Sequence, residues 1–79
     1  MQISFEKEYD YLTKHNKEAF VKEVMKNYGW TSVQAVYYLI KGRRNMSEYE
    51  IRCIRSLFAF FFKKQAESGQ VYIQDYLSL

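Results

Sequence analysis

The sequence contains no proline, only three glycines and a single cysteine. Because proline interrupts helix interiors, its absence favours an all-helical chain. A lone cysteine cannot form a disulfide within the chain, and we expect Cys53 to be a small buried apolar residue. No stretch is apolar for long enough to span a bilayer, and no signal peptide is evident at the start. We therefore expect a cytoplasmic protein without membrane contact.

Residues that commonly carry catalysis are equally sparse. His15 is the only histidine, and no cluster of cysteine and histidine has the spacing of a metal site. No glycine-rich loop suggests a cradle for phosphates. The nine acidic residues are scattered over predicted helix starts and surfaces. These absences predict that the chain is not an enzyme and uses no metal, cofactor or small-molecule substrate.

What the sequence does contain is enough apolar surface to fold. Hydrophobic residues make up 48% and aromatic residues 19% of the 79 positions, which predicts one folded domain over residues 1–79. A core of this size is small, so association between copies is a reasonable expectation. The net charge of +3 is compatible with nucleic-acid binding but does not require it.

Hydrophobic spacing and capping residues predict the flanking helices. A first helix is expected from Ser4 to His15, and a second from Lys17 to Tyr28 with Asn16 as its cap. Ser47 and Glu50 form a capping box that should start a helix of about twenty residues. Its inward side should consist of Ile51, Ile54, Leu57, Phe58 and Phe61. Phe60 falls outside that stripe.

The stretch from residue 28 to 45 predicts a helix end, a tight turn and another helix. Gly29 and Gly42 are natural left-handed helix terminators, and Trp30 is expected to fold back onto Met25. Thr31 and Ser32 are both suitable caps for the helix between the glycines, and Thr31 with Gln34 fits a capping box. Its outer side carries no acid and holds Gln34, Tyr37, Tyr38 and Lys41. Two helices joined by such a turn describe a helix-turn-helix.

The string S-V-Q-A-V-Y-Y-L-I-K-G-R-R-N resembles the phage-repressor/Cro-type (XRE-like) helix-turn-helix DNA-binding family. Placing Gly42 on the glycine of that family puts Val36 and Leu39 on the core positions of the recognition helix. The resemblance implies base-facing positions at Ser32, Val33, Gln34, Tyr37 and Tyr38. It implies phosphate contacts at Asn16, Lys17, Lys41, Arg43 and Arg44. The turn is one residue longer than the family pattern.

The C-terminal tail, residues 70–79, fits two local structures. Val71 and Ile73 alternate with polar neighbours as in a strand, whereas residues 75–77 fit a helical turn. Together with Phe60, the tail offers apolar side chains with no evident partner in the chain, which favours association. The expected homodimer interface consists of Phe60, Val71, Ile73, Tyr76 and Leu77.

The sequence thus predicts a small all-α, lambda-repressor-like bundle of four to five helices, with its helix-turn-helix at about residues 17–45. The expected function is sequence-specific binding of double-stranded DNA by a homodimeric transcriptional regulator of phage or mobile-element type. The alternative is a protein-binding module on the same scaffold, such as an anti-CRISPR-like inhibitor or an antitoxin. The operator, the regulated gene and the direction of regulation are open at this point.

Overall fold

The computed structural model describes residues 2–67, which form four helices. They are α1 (Glu6–Tyr11), α2 (Lys14–Tyr28), α3 (Val33–Ile40) and α4 (Glu48–Glu67). Residues 2–67 contain no strand, so the prediction of an all-helical domain is confirmed for this range. The predicted tail, with Val71, Ile73, Tyr76 and Leu77, lies outside the described residues. None of the four helices is long and apolar enough to cross a membrane.

The predicted boundary between the first two helices is wrong. Helix α1 ends at Tyr11 instead of His15, and α2 begins at Lys14. Thr13 is the cap of α2, because its backbone is extended and its hydroxyl accepts a hydrogen bond from the Asn16 amide at 3.3 Å. Asn16 therefore lies inside the first turn of α2 and is not its cap.

A long-range contact explains why the chain breaks at this point. Gln65, near the end of α4, is fully buried, and its Oε1 accepts from the Thr13 amide at 2.7 Å and from Asn16 Nδ2 at 3.0 Å. Its Nε2 donates to the Tyr11 carbonyl at 3.3 Å. These bonds satisfy backbone groups that the interruption of the helix leaves without helical partners.

Both glycines end their helices as the sequence predicts. Gly29 has φ 69° and Gly42 has φ 78°, which is left-handed backbone that glycine adopts without steric cost. The Trp30 amide donates to the Met25 carbonyl at 2.9 Å, and the Arg43 amide donates to the Tyr38 carbonyl at 3.0 Å. Helices α2 and α3 therefore finish with the same hydrogen-bonding motif.

Aromatic rings from three parts of the chain form the centre of the core. Phe20 of α2 stacks on Phe58 of α4 at 4.3 Å, and Phe5 approaches Phe58 at 5.7 Å between ring centroids. Val36 and Leu39 of α3 are fully buried against this cluster. The inward stripe predicted for α4 is buried, except that Leu57 is half-buried. Cys53, expected to be buried, is exposed instead because it projects from the other side of α4.

The N-terminal segment closes over the end of α3. The Phe5 amide donates to the Ile40 carbonyl at 2.7 Å. A Cβ atom on Gly42 would lie 2.9 Å from backbone atoms of Ile3 and Ser4, whereas one on Gly29 would meet nothing within 4 Å. Glycine is thus required at position 42 for two reasons, its left-handed backbone and the close approach of the N-terminal segment.

These two glycines allow a matched test of backbone strain against packing. Gly29→Ala should lower the free energy of unfolding by about 1–2 kcal/mol, the cost of a left-handed alanine. Gly42→Ala should cost about 1–3 kcal/mol more, because backbone atoms must move aside. Urea denaturation of both variants measures the difference. Equal losses would contradict the packing of residues 3–4 against Gly42.

Candidate nucleic-acid interface

The start of α3 is set by Ser32. Its backbone is extended, and its Oγ accepts a hydrogen bond from the Gln34 amide at 3.2 Å. Of the two caps that the sequence offers, Ser32 is therefore confirmed, and the alternative capping box of Thr31 with Gln34 is wrong. The Gln34 side chain is exposed and makes no hydrogen bond to any residue between 2 and 67. Its amide is available to a ligand.

Helix α3 separates a buried side from an exposed one. Val36, Leu39 and Ile40 face the core. The base-facing positions implied by the resemblance all lie on the exposed side, at Ser32, Val33, Gln34, Tyr37 and Tyr38. Tyr38 is 53% exposed. Val33 is 47% exposed with this set.

The exposed side of α3 continues into the turn after Gly42. A cleft of about 460 Å³ is lined by Gln34, Tyr37, Tyr38, Lys41 and Arg43. Because the chain reverses at Gly42, the Arg43 amide is bonded to the Tyr38 carbonyl, which places Arg43 beside the helix. The cleft contains two cations, two phenols and an amide, and no acid lines it.

Tyr37 is partly anchored by Tyr9 of α1. The two rings stand edge to face with centroids 6.3 Å apart. Burial of the Tyr9 hydroxyl, followed by its hydrogen bond to Tyr37, raises the pKa of Tyr9 to about 12. The Lys17 ammonium lies 5.4 Å from the centre of the Tyr9 ring. Lys17, a predicted phosphate contact, is therefore close to the Tyr37 side of α3.

Acidic residues border the other edge of this surface. Glu6 and Asp10 line a second cleft with Tyr37 and Lys41. Glu18 lies along the groove between α2 and α3, near Val33. Negative charge here disfavours a polyanion. At the end of α3, where no acid lines the cleft, Lys41 and Arg43 form the part of this surface that favours a polyanion.

Arg44, also predicted to contact phosphate, is largely engaged within the chain. Its Nη2 lies 3.1 Å from Glu50 Oε2. Its guanidinium carbon lies 5.3 Å and 5.4 Å from the ring centres of Tyr28 and Trp30. The two rings stack at 4.2 Å, and the Trp30 amide donates to the Met25 carbonyl. Arg44 is a structural link whose charge is compensated by Glu50.

Glu50 is the centre of that cluster. Its Oε1 accepts from the Ser47 amide at 3.2 Å, and its Oε2 accepts from the Tyr28 hydroxyl at 2.7 Å. The hydrogen bonds from Tyr28 and Ser47, together with the nearby Arg44, lower the pKa of Glu50 to about 2. The sequence predicted Glu50 as a capping residue only. Its additional contacts could not be found from local spacing, because Tyr28 is 22 positions away.

Asn16 leaves the set of candidate phosphate contacts. Its side chain is 3% exposed, and its amide nitrogen donates to Gln65. A group buried in this way cannot reach a phosphate without breaking that bond. Phe60, the one predicted dimer residue within residues 2–67, is 60% exposed.

Nothing in the described part of the chain resembles a metal centre, since no three potential acidic, cysteine or histidine ligands lie together there. Comparisons with protein-family models, with curated proteins and with solved structures found no match.

The Glu50 cluster predicts acid-sensitive stability. Because folding lowers the pKa of Glu50 from 4.5 to about 2, its contribution is complete above the unfolded value and is lost as the pH falls between these two values. Glu50→Gln should flatten this part of the curve of unfolding free energy against pH. Glu48→Gln, which removes an exposed carboxylate from the same helical turn, is the control. It should leave the loss of unfolding free energy between these two pH values unchanged. Parallel curves for wild type and Glu50→Gln would contradict the assignment.

Proposed function

We propose that the chain binds double-stranded DNA, with α2, residues 29–32 and α3 acting as a helix-turn-helix. The observation that carries the proposal is the acid-free cleft lined by Gln34, Tyr37, Tyr38, Lys41 and Arg43. A single helix fits the major groove of DNA, and the end of α3 offers amide, phenol and cationic groups on one exposed side. The resemblance of residues 32–45 to phage repressors supports the same proposal.

Each exposed group has a chemical role in this arrangement. The Gln34 amide can donate to and accept from the edge of adenine, and Val33 can contact the methyl group of thymine. Lys41 and Arg43 would hold phosphates, which fixes the position of α3 but carries no sequence information. Lys17, next to Tyr9, is a further candidate for a contact with the DNA phosphates. The Ser32 hydroxyl oxygen accepts a hydrogen bond from the Gln34 amide and caps α3. In this arrangement Ser32 would lie close to the DNA.

The proposal extends to a homodimeric transcriptional regulator of phage or mobile-element type. One α3 helix with two free cations offers few contacts, and two copies that read two half-sites multiply a weak interaction. The exposure of Phe60 supports association. The resemblance supports the regulatory role.

Arg43 and Arg44 provide the electrostatic test, because the structure assigns them different environments. Arg43→Ala should weaken binding to all duplexes and reduce the slope of log affinity against log salt by about 0.9. Arg44→Ala should mainly lower the free energy of unfolding, since it removes the partner of Glu50. Lys64→Ala, which removes a charge near the end of α4, is the control for net charge. Fluorescence anisotropy over a salt series measures the slopes. An unchanged slope for Arg43→Ala would exclude it as a phosphate contact.

Gln34 provides the test of base reading. On a preferred site selected from random duplexes, Gln34→Ala should lose about 1–3 kcal/mol of binding free energy and relax the preference at one or two base pairs. Because its side chain supports no other residue, the thermal unfolding midpoint should not change. Gln34→Glu should bind more weakly still, since it adds an acid to an acid-free cleft. Retained preference in both variants would remove Gln34 from the interface.

The second candidate function is binding of another protein. It is favoured by the acids Glu6, Asp10 and Glu18 along one edge of α3, and by the exposed Val33 and Tyr38. A surface that has charges of both signs and exposed aromatic rings matches another protein better than it matches DNA, which carries only negative charge. Chromatography on nonspecific duplex DNA at low salt separates the two, because a protein-binding module need not be retained.

A further inference from the structure

Helix α4 carries a second line of side chains on the side opposite to the core. Its buried side consists of Ile51, Ile54, Phe58, Phe61, Phe62 and Gln65. Tyr49, Cys53, Ser56 and Phe60 are all exposed. Their spacing of four, three and four residues keeps them on one line along the helix, as at the seam of paired helices.

The order of residues along this line is almost the same in both directions. A large aromatic residue stands at each end, Tyr49 and Phe60, and two small residues, Cys53 and Ser56, stand between them. Tyr49 is 73% and Phe60 is 60% exposed. Two-fold contacts require a surface that is complementary to itself when reversed. An antiparallel pair of such helices would place large residues against large and small against small.

A recess next to this line can receive a ring from outside. The cleft between α2 and α4 has a volume of about 590 Å³. Tyr49 and Phe60 stand at its rim, and Val24, Tyr28 and Leu57 contribute to its walls. An aromatic side chain from another molecule could therefore be buried beside the helix instead of lying flat on it.

We propose that a second copy of this chain docks here, with the two α4 helices antiparallel and the two-fold axis between Cys53 and Ser56. The inference rests on the proposed function, which includes a homodimer, and adds the surface by which the two copies pair. Tyr49 then packs beside the partner's Phe60, and Cys53 beside the partner's Ser56. The small residues at the axis allow the helices to approach closely. The interface is centred further toward the start of α4 than the sequence predicted.

On one flank of the line, Glu48 and Lys63 favour this direction of pairing, whereas the arginines oppose it. Glu48 lies 6.5 residues before the axis and Lys63 lies 8.5 residues after it. At 1.5 Å per residue, Glu48 and the partner's Lys63 would differ by only about 3 Å along the helix. Arg52 and Arg55 lie near the axis on the same flank, so the arginines of both copies converge there. Salt screens that repulsion, and the dimer should therefore strengthen as salt increases.

Cys53, the only cysteine, makes the geometry measurable. It lies 1.5 residues from the axis, so the two copies of Cys53 would be offset by about 4.5 Å along helices that are about 8–10 Å apart. We expect a short bismaleimide to link two wild-type chains efficiently. In Cys53→Ser/Glu67→Cys the thiols would be about 37 Å apart along the helices, and no link should form. Parallel pairing would link both variants equally.

Mass and salt dependence complete the test. Sedimentation should show a dimer that becomes tighter with salt, and Phe60→Asp should remain folded by circular dichroism but sediment as one chain. DNA affinity falls with salt, so the two activities respond in opposite directions. A wild-type dimer that is not retained on duplex DNA at low salt would refute only the DNA proposal. A single-chain mass for wild type, or linkage through Glu67→Cys, would overturn the antiparallel dimer whether or not DNA is bound.

Discussion

The position of α3 depends in part on a cluster of hydrogen bonds centred on the Glu50 carboxylate. Glu50 caps α4 through Ser47 and at the same time accepts from Tyr28 at the end of α2 and from Arg44 after α3. Helix α3 has eight residues, which is too short to be stable in isolation. Its position is therefore fixed by its buried side, by the N-terminal segment over Gly42 and by this cluster. Removing the Glu50 charge would loosen the end of α2 and the turn after α3 together.

The same cluster limits the charge that the candidate interface can offer. Arg44 is paired with Glu50 and packed against two aromatic rings, so the free cations at the end of α3 are Lys41 and Arg43 within the part of the chain that the structure describes. Acids at Glu6 and Asp10 narrow the favourable region further. A single copy would bind a polyanion weakly by this surface, because affinity for DNA grows with the number of phosphates neutralised. Pairing of two copies would double the number of phosphate contacts and so raise the affinity for DNA.

The sequence predicts those features whose cause is local. Gly29, Gly42 and the capping box of Ser47 with Glu50 act within a few residues, and the structure confirms all three. The start of α2 was missed although its Thr13 cap is local, because Asn16 is also a good cap by residue type and its contact with Gln65, 49 positions away, exists only after folding. The role of Arg44 was missed for the same reason, since the stack of Tyr28 and Trp30 exists only after folding. For Cys53, general residue preference was misleading: cysteine is usually buried, but its place on α4 points away from the core.

Helix α4 connects the two proposed activities. Its first turn holds the end of α2 and the turn after α3 through Glu50, and its outer line of Tyr49, Cys53, Ser56 and Phe60 is the proposed seam between copies. Glu50 and Tyr49 are adjacent residues, so the same helical turn faces both the α3 cluster and the partner. In such a dimer the separation of the two α3 helices would be set by one α4 helix from each copy, to which the Glu50 cluster ties the turn after α3. DNA half-sites of fixed spacing require a fixed separation of that kind.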